Sequence, residues 1–489
     1  MKNFLSENKK ILATLLAFLI FGIILILPLP DPIKGGDKVI SLSLQGKATL
    51  AALTLAVILW VSEGLPFAVT GLLAMVVLVM TGAADFKTLV KDGFGNHIIV
   101  FFIGVLIFSA AISRTTLLKR MAMRLLRQLG HSPRLIILVF ISVGAFLSGW
   151  ITDMAVAAML MPIGVSILKD AGLEPLKSNF GRALMISCAW GPLIGGISTP
   201  AGCGPNPLTI GFLKDLAGMD FTFLQWMAIG YPAMILMIPM GWLILIKAFP
   251  LEDINLSLSE EDIEKQRLEL GKISPREIAV VIIFIITIAL WILGPFIKKW
   301  TGGTVDFLSI SYVAIGCSLF FFLPGLDILT WQEAESNISW GGIILIVTGL
   351  ALGMAIYKTG AAEWIAWISF RAIGSLHPAM IIFVIVLGVS LLKVMFSSNS
   401  VTGIIVVPLL IALAGSLKLD PALLAIPAGI TSSLAFILVT STPTNVIPYS
   451  AGYFTIGDMV KAGLYMTVAS SLAVTVSVYG MGRLLGILT

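Results

Sequence analysis

Long apolar stretches separated by short polar segments run along nearly the whole chain. Eleven of them suit a membrane-spanning helix, which needs roughly 20 mostly apolar residues: 11–30, 48–64, 67–82, 97–113, 184–206, 224–249, 278–297, 307–323, 341–357, 422–446 and 460–487. Two others, 135–168 and 378–417, are too long for one crossing and short for two crossings with a turn. At about 1.5 Å per residue their arms reach only ~20–27 Å, so each stretch is predicted to be a re-entrant helical hairpin.

Composition agrees with this pattern. Of the 489 residues, 58% are hydrophobic and 12% are charged, whereas soluble domains carry about 25% charged residues. The net charge of +5 is spread over the loops, so no nucleic-acid partner is predicted. Three cysteines and three histidines are scattered along the chain, which argues against a disulfide framework and a metal site. We predict an all-α integral membrane protein in a lipid bilayer.

Loop charge predicts the orientation. Segment 114–134 carries six basic residues and no acidic one, and cytoplasmic loops are rich in Lys and Arg. With this segment inside, the N-terminus and the 250–277 loop are cytoplasmic and the C-terminus is extracellular. The two hairpins then enter from opposite sides, and 48–249 and 278–487 form inverted repeats. Short loops favour a bacterial plasma membrane. Segments 114–130 and 359–375 are predicted to lie along the two membrane faces.

A short polar motif lies at the centre of each predicted hairpin. The first is Thr152-Asp153-Met154, and the second is Ser398-Asn399-Ser400; Pro162 and Pro408 follow ten residues after the first hydroxyl of each. Polar, broken backbone is tolerated at membrane depth only where it lines a cavity inside the protein. We therefore expect the two tips to meet at a binding site between the halves.

Each half has a second polar interruption after its hairpin. One covers 195–206, and the other covers 440–445. Gly and Pro within an apolar run unwind a helix and free its backbone groups. Freed carbonyls suit sodium, and exposed N–H groups suit carboxylates. Four residues are predicted to shape these loops: Pro200, Pro205, Asn206 and Asn445.

The order of these features resembles the divalent anion/sodium symporter family over nearly the whole chain. The hairpin tips resemble its Ser-Asn-Thr signature, and the later breaks resemble its Thr-Pro-Pro-Asn loops. The resemblance implies a homodimer with scaffold and transport domains. It implies an elevator movement that carries di- or tricarboxylates, or sulfate in some branches. It also implies that the tips bind substrate carboxylates with two sodium ions beside them, and it implies no other cofactor.

On this resemblance the chain divides into five segments. They are a first scaffold segment 1–130, a first transport segment 131–220, a second scaffold segment 221–375, a second transport segment 376–458 and a C-terminal span 459–489. The first transport segment holds the hairpin 133–168 and a broken helix 184–218. The second holds the hairpin 378–417 and a broken helix 422–458.

This chain departs from the signature in its first tip. Met154 has no hydroxyl, and an ionised Asp153 would repel a dianion at close range. In the second tip, Ser398, Asn399 and Ser400 keep hydroxyl and amide donors for a carboxylate. The residues predicted to contact substrate are Thr152, Asp153, Met154, Ser398, Asn399, Ser400, Thr442, Pro443 and Lys393.

Lys393 is the only charged residue of the second hairpin stretch, and three interpretations compete for it. It reaches the outer surface, it pairs with Asp153, or its ammonium takes the place of a sodium ion and faces an anionic substrate. The residues predicted for cation binding or charge coupling are Ser148, Thr152, Asp153, Gly202, Lys393, Ser397, Asn399 and Ser441.

The third interpretation of Lys393 predicts an exchanger. A fixed cation cannot leave, so the empty transport domain would cross the bilayer with an unneutralised charge, at a cost of several kcal/mol. We therefore expect exchange of C4/C5 dicarboxylates such as succinate, malate, fumarate and 2-oxoglutarate, with little sodium dependence. One alternative is sodium symport, with the ion held by Ser148, Thr152, Asp153 and the Gly202 carbonyl. Another is proton-coupled transport or antiport through Asp153. The sequence shows no phosphate loop and no soluble catalytic domain, so an enzyme is not predicted.

Overall fold

The computed structural model describes residues 2–35, 38–117, 120, 124, 132–252, 271–304, 307–370 and 376–488. Its first helices are α1 (Lys2–Ile26), α2 (Leu44–Ser62), α3 (Phe67–Met80), α4 (Phe86–Gly93), α5 (His97–Ser113), α6 (Pro133–Ser148), α7 (Asp153–Asp170), α8 (Asn179–Gly196), α9 (Pro205–Ala217) and α10 (Phe223–Ala248). Between α1 and α2, strands β1 (Ile33–Gly35) and β2 (Lys38–Ile40) form a short antiparallel ribbon.

The described residues of the second half supply ten further helices. They are α11 (Pro275–Trp300), α12 (Ile310–Ser318), α13 (Trp331–Asn337), α14 (Trp340–Lys358), α15 (Ala361–Phe370), α16 (Pro378–Leu392), α17 (Asn399–Leu417), α18 (Pro421–Thr431), α19 (Pro443–Tyr449) and α20 (Ile456–Leu484). Single 3₁₀ turns follow α12, α16 and the irregular segment after α18, at Leu319–Phe322, Lys393–Met395 and Val439–Ser441. The predicted all-α, multi-span fold class is confirmed.

The same order of elements occurs twice along the described chain. A span, a short apolar helix, a short connecting helix and another span come first, as α2–α5 and as α11–α14. A pair of helices joined at a polar tip, a broken helix and a long span follow, as α6–α10 and as α16–α20. The opposite orientation of the halves and the five segment boundaries stay predictions.

Among the described residues, nine helices are long and apolar enough to cross a membrane. Seven coincide with predicted spans, and the other two are the arms of the second hairpin, Pro378–Met395 and Asn399–Leu417. Of the four remaining predicted spans, 67–82 and 307–323 are short apolar helices. The other two, 184–206 and 422–446, are broken.

The structure corrects the position of the second break. Helix α18 ends at Thr431, and the chain is mostly irregular until α19 begins at Pro443. A span over 422–446 interrupted only at 440–445 is therefore wrong. The apolar run 434–439 hides the break, because hydropathy does not distinguish a helix from packed irregular backbone. This run lies against α20, where a Cβ on Gly463 would come within 2.9 Å of the Ile437 Cα.

The first hairpin forms one body with its broken helix. A Cβ on Gly144 of α6 would lie only 2.8 Å from the Pro192 Cδ and 3.1 Å from the Gly191 Cα of α8. Small residues allow helices to approach this closely in membranes. Segment 114–130, predicted to lie along one membrane face, falls mostly outside the described residues, as does the 250–277 loop. In segment 359–375, the described part contains α15.

Candidate functional site

The two hairpin tips contact each other. Helix α6 ends at Ser148 and α7 begins at Asp153, while α17 begins at Asn399 after the 3₁₀ turn that ends α16. The Asn399 Nδ2 donates to the Asp153 Oδ2 at 3.3 Å. The centres of two segments 246 residues apart thus form one polar site, as the duplicated motif predicts.

The Asp153 carboxylate is surrounded by donors. Its Oδ1 accepts the Met154 N–H at 2.9 Å, and its Oδ2 accepts the Asn399 amide. The Thr444 hydroxyl lies nearby, and Lys393 lies within electrostatic reach. An ionised carboxylate can only accept hydrogen bonds, so this set of partners suits a negative charge. Asp153 is half-buried.

Lys393 is turned into the protein. Its side chain is 1% exposed, and its Nζ donates to the Phe396 carbonyl at 3.1 Å and the Ser441 carbonyl at 2.6 Å. The ammonium therefore joins the second hairpin to the second break. The structure does not show the surface-reaching arrangement, and the ammonium donates to main-chain oxygens rather than to the Asp153 carboxylate.

One asparagine holds each break in the same way. The Asn206 Nδ2 donates to the carbonyls of Gly196 and Thr199, ten and seven residues before it, at 2.8 and 2.6 Å. The Asn445 Nδ2 donates to the carbonyls of Ala435 and Leu438, again ten and seven residues before it, at 2.7 and 3.1 Å. Both side chains are fully buried. We call this arrangement the asparagine clamp.

The first tip packs closely on the first break. A Cβ on Gly202 would lie 2.8 Å from the Ser148 carbonyl oxygen and 2.9 Å from the Gly196 carbonyl carbon, so no larger residue fits without a shift. The Thr199 hydroxyl donates to the Gly149 carbonyl. The Ser148 side chain is fully buried, and its Oγ has no hydrogen-bond partner. Unpartnered buried oxygens are rare and call for an explanation.

The second tip touches a helix outside the hairpins. The Ser397 hydroxyl donates to the Glu63 Oε1 at 2.9 Å. Glu63 ends α2 in the left-handed conformation, with φ of 49°, and its N–H bonds to the Leu59 carbonyl. Sequence reasoning missed Glu63, because a carboxylate at the end of a span looks like an ordinary interfacial residue and its partner is 334 residues away.

The remaining predicted residues lie around these contacts. Ser398 caps α17, and its Oγ accepts the Val401 N–H, whereas Thr152 caps α7 without a side-chain bond. Met154 is 46% exposed. A Cβ on Gly204 would overlap the Ser400 hydroxyl, so the second tip also contacts the first break.

The prolines and Thr442 complete the two breaks. Pro205 opens α9 and Pro443 opens α19, while Pro200 lies in the first break. The Thr442 hydroxyl faces the Thr444 hydroxyl at 3.4 Å.

Within the described ranges, no group of three or more His, Cys, Asp or Glu is arranged to hold a metal ion.

Comparison with known proteins gives consistent matches. Residues 8–488 match the family described as "Sodium:sulfate symporter transmembrane region". The chain is 29% identical over 496 residues to the sodium-dependent dicarboxylate transporter SdcS of Staphylococcus saprophyticus, with 97% of this chain and 92% of that protein covered. It is 29% identical over 437 residues to SdcS of Staphylococcus aureus strain USA300, with 86% and 83% covered.

Two solved structures share the fold. Neisseria gonorrhoeae MtrF, described in its title among antimetabolite efflux pumps, superposes with a TM-score of 0.57 at 16% identity, covering 96% of this chain and 94% of that one. The Alcanivorax borkumensis YdaH transporter superposes with a TM-score of 0.53 at 14% identity, covering 99% and 98%.

Proposed function

The chain belongs to the sodium:sulfate symporter family, and we propose that it is a dicarboxylate exchanger with little sodium dependence. Family and relatives make it a membrane transporter rather than an enzyme. The relatives named SdcS are dicarboxylate transporters, which supports small dicarboxylates as the substrate class. One observation carries the coupling proposal: the Lys393 ammonium sits on two main-chain carbonyls between the second tip and the second break.

The Lys393 ammonium takes the role of a bound cation. Carbonyls freed by broken helices coordinate sodium in secondary transporters. Here the Phe396 and Ser441 carbonyls already hold a cation that is covalently attached to the chain. An ion that never dissociates cannot draw energy from a gradient. This half of the site therefore binds anions without a sodium ion of its own.

Exchange follows from the lack of a coupling ion. A carrier with no coupled ion accumulates one anion only by releasing another. The charge penalty expected for an empty carrier is smaller than Lys393 alone implies, because Asp153 lies on the facing tip within electrostatic reach. The penalty is reduced but not removed, because both charges stay at membrane depth when the substrate leaves. The proposal therefore rests on an unfavourable empty return together with the lack of a coupling ion.

An elevator movement accounts for the contact with Glu63. In the proposed division, the hairpins and broken helices move, while α2 belongs to the fixed scaffold. The hydrogen bond between Ser397 and Glu63 then joins moving and fixed parts. It holds the second tip at the end of α2 that loop charge predicts to be cytoplasmic. A homodimer built on the scaffold segments completes the proposal.

Counterflow in proteoliposomes tests the proposed function. Vesicles loaded with unlabelled succinate should take up labelled succinate equally in sodium and in choline buffer. Vesicles without internal anion should take up little in either buffer. Uptake that needs a sodium gradient and no internal anion would contradict exchange. Uptake driven by a pH gradient alone would favour proton coupling through Asp153.

Sodium symport is a second candidate, favoured by the unpartnered Ser148 Oγ. This buried oxygen lies beside the first break, where Gly202 packs against the Ser148 carbonyl. Together with Thr152 and Asp153 these oxygens form a donor set of the kind that hard cations prefer. Sodium-dependent heat of binding that disappears in Ser148→Ala, with Ser187→Ala as a buried-serine control, would support this candidate.

A further inference from the structure

The Asp153 carboxylate already accepts the amide N–H that the second tip could offer to a substrate. Asn399 provides the only side-chain amide of that tip, and its Nδ2 donates to the Asp153 Oδ2. Because a carboxylate accepts only, the amide must present its NH₂ to Asp153. A substrate carboxylate that approaches this amide meets a negative charge already in place.

The same contact leaves an acceptor without a donor. The Asn399 Oδ1 is buried and has no hydrogen-bond partner. With the amide orientation fixed by Asp153, this oxygen cannot be satisfied by a flip. Next to it stands a half-buried carboxylate. Two adjacent acceptors, one of them charged, suit a group with several N–H donors and a positive charge.

The fixed charges around the tips do not favour a dianion. Lys393 contributes one positive charge, but its Nζ already serves two carbonyls. Asp153 contributes one negative charge at the facing tip, and the exposed Glu63 contributes another through Ser397. Like charges at short range disfavour binding, most strongly where solvent is excluded. Asp153 therefore outweighs Glu63 in this balance.

We propose that the transported dicarboxylate carries a protonated amine, as in an amino-dicarboxylate such as L-aspartate. Its ammonium donates to the Asp153 carboxylate and the Asn399 Oδ1. One of its carboxylates takes the hydroxyl donors that the second tip keeps, Ser398 and Ser400, at the start of α17. The net charge of the substrate is then −1 instead of −2. This inference rests on the proposed function, since it specifies which members of the dicarboxylate class the site accepts.

Competition in the counterflow assay tests the substrate. Uptake of labelled succinate into succinate-loaded vesicles is measured with unlabelled L-aspartate, succinate or L-malate outside. Malate has a hydroxyl donor where aspartate has an ammonium, so it separates hydrogen bonding from charge. We expect L-aspartate to compete at least about tenfold better than either, since one such charge contact exceeds 1.4 kcal/mol.

The variant Asp153→Asn reverses this preference if Asp153 sets it. It keeps the size of the side chain and removes the charge, so succinate should gain on aspartate by at least about tenfold. Better competition by succinate or malate than by aspartate in the wild-type protein would overturn the proposal, whatever the variant does. An unchanged ratio in Asp153→Asn would also overturn it. If the wild-type protein showed no anion counterflow at all, the proposed function itself would be refuted.

Discussion

Replacing Lys393 by methionine removes the ammonium and keeps much of the apolar stem. The bonds to the Phe396 and Ser441 carbonyls, 3.1 and 2.6 Å long, are lost, and both oxygens stay buried. Hydrogen bonds from charged donors are worth about 1.5–3 kcal/mol each, so the two together contribute about 3–6 kcal/mol. Burying an ammonium has its own cost, which the variant recovers, so we expect a net loss near the lower value, about 3 kcal/mol.

The assay is succinate counterflow per folded transporter. The two lost bonds hold the second tip in the arrangement that transport needs. When that arrangement becomes less favourable by about 3 kcal/mol, exchange slows by roughly a hundredfold, at 1.4 kcal/mol per factor of ten. Lys47→Met is the matched control, because the Lys47 Nζ also donates to two main-chain carbonyls, of Leu25 at 2.9 Å and Leu27 at 2.8 Å. These carbonyls lie in the last turn of α1 and just after it, away from the tips, so the exchange rate of Lys47→Met should stay within about twofold of wild type.

A smaller residue separates charge from packing. Lys393→Ala opens room beside the same two carbonyls, and a sodium ion is the natural replacement for the ammonium. We expect exchange in this variant to be weak in choline buffer and partly restored by sodium. Wild-type exchange by Lys393→Met, or sodium-insensitive wild-type exchange by Lys393→Ala, would refute the reasoning from Lys393.

Three further changes test the frame of the site. Asn445→Leu removes both bonds of the second asparagine clamp and should lower the free energy of unfolding, measured by thermal unfolding, by about 2–4 kcal/mol. The control is Asn337→Leu, at an exposed asparagine with one bond to the Glu333 carbonyl. This control should leave thermal unfolding unchanged. In the double variant Glu63→Cys/Ser397→Cys, a short cross-linker between the two cysteines should stop counterflow, because it fixes the second tip to α2. The same reagent should not stop counterflow in either single variant. Continued transport by the cross-linked protein would contradict the elevator movement. For Glu252, burial alone raises the pKa, but hydrogen bonds from the Asn179 and Phe180 amides outweigh it and hold the pKa below its usual value. A lowered folded-state pKa contributes stability that is present above the unfolded-state pKa and is lost as the pH falls through the folded-state pKa. Glu252→Gln should therefore be less stable than wild type at neutral pH, and thermal unfolding at stepwise lower pH should show this difference disappear as the pH falls through the folded-state pKa.

The sequence predicts the hairpins well because their signals are local. Polar residues in the middle of long apolar stretches mark both tips, and the structure begins α7 at Asp153 and α17 at Asn399. The positions of Asn206 and Asn445 after Gly and Pro likewise point to breaks. Which carbonyls they bind is not readable, since it depends on how the freed chain folds back over ten residues.

Contacts between distant segments leave no such signal. Glu63 looks like one of several carboxylates at span ends, and only the folded chain brings it to Ser397. Lys393 left three arrangements open, because a lysine stem reaches either a surface or an interior partner. The sequence does not predict the end of α18 for a different reason. Residues 434–439 are as apolar as a span, although two of their carbonyls accept hydrogen bonds from the Asn445 amide.

The asparagine clamp has a consequence for how such a transporter changes over time. It holds each break through two hydrogen bonds from an uncharged asparagine, which adds nothing to the charge of the site. In the first half, Leu147 stands three residues before Trp150, as Lys393 stands three residues before Phe396. A single substitution at either place adds or removes a charge beside a tip and leaves both clamp asparagines unchanged. Under the proposed mechanism, what the protein couples to is therefore a property that mutation, or an engineer, can alter without changing the residues that hold the breaks.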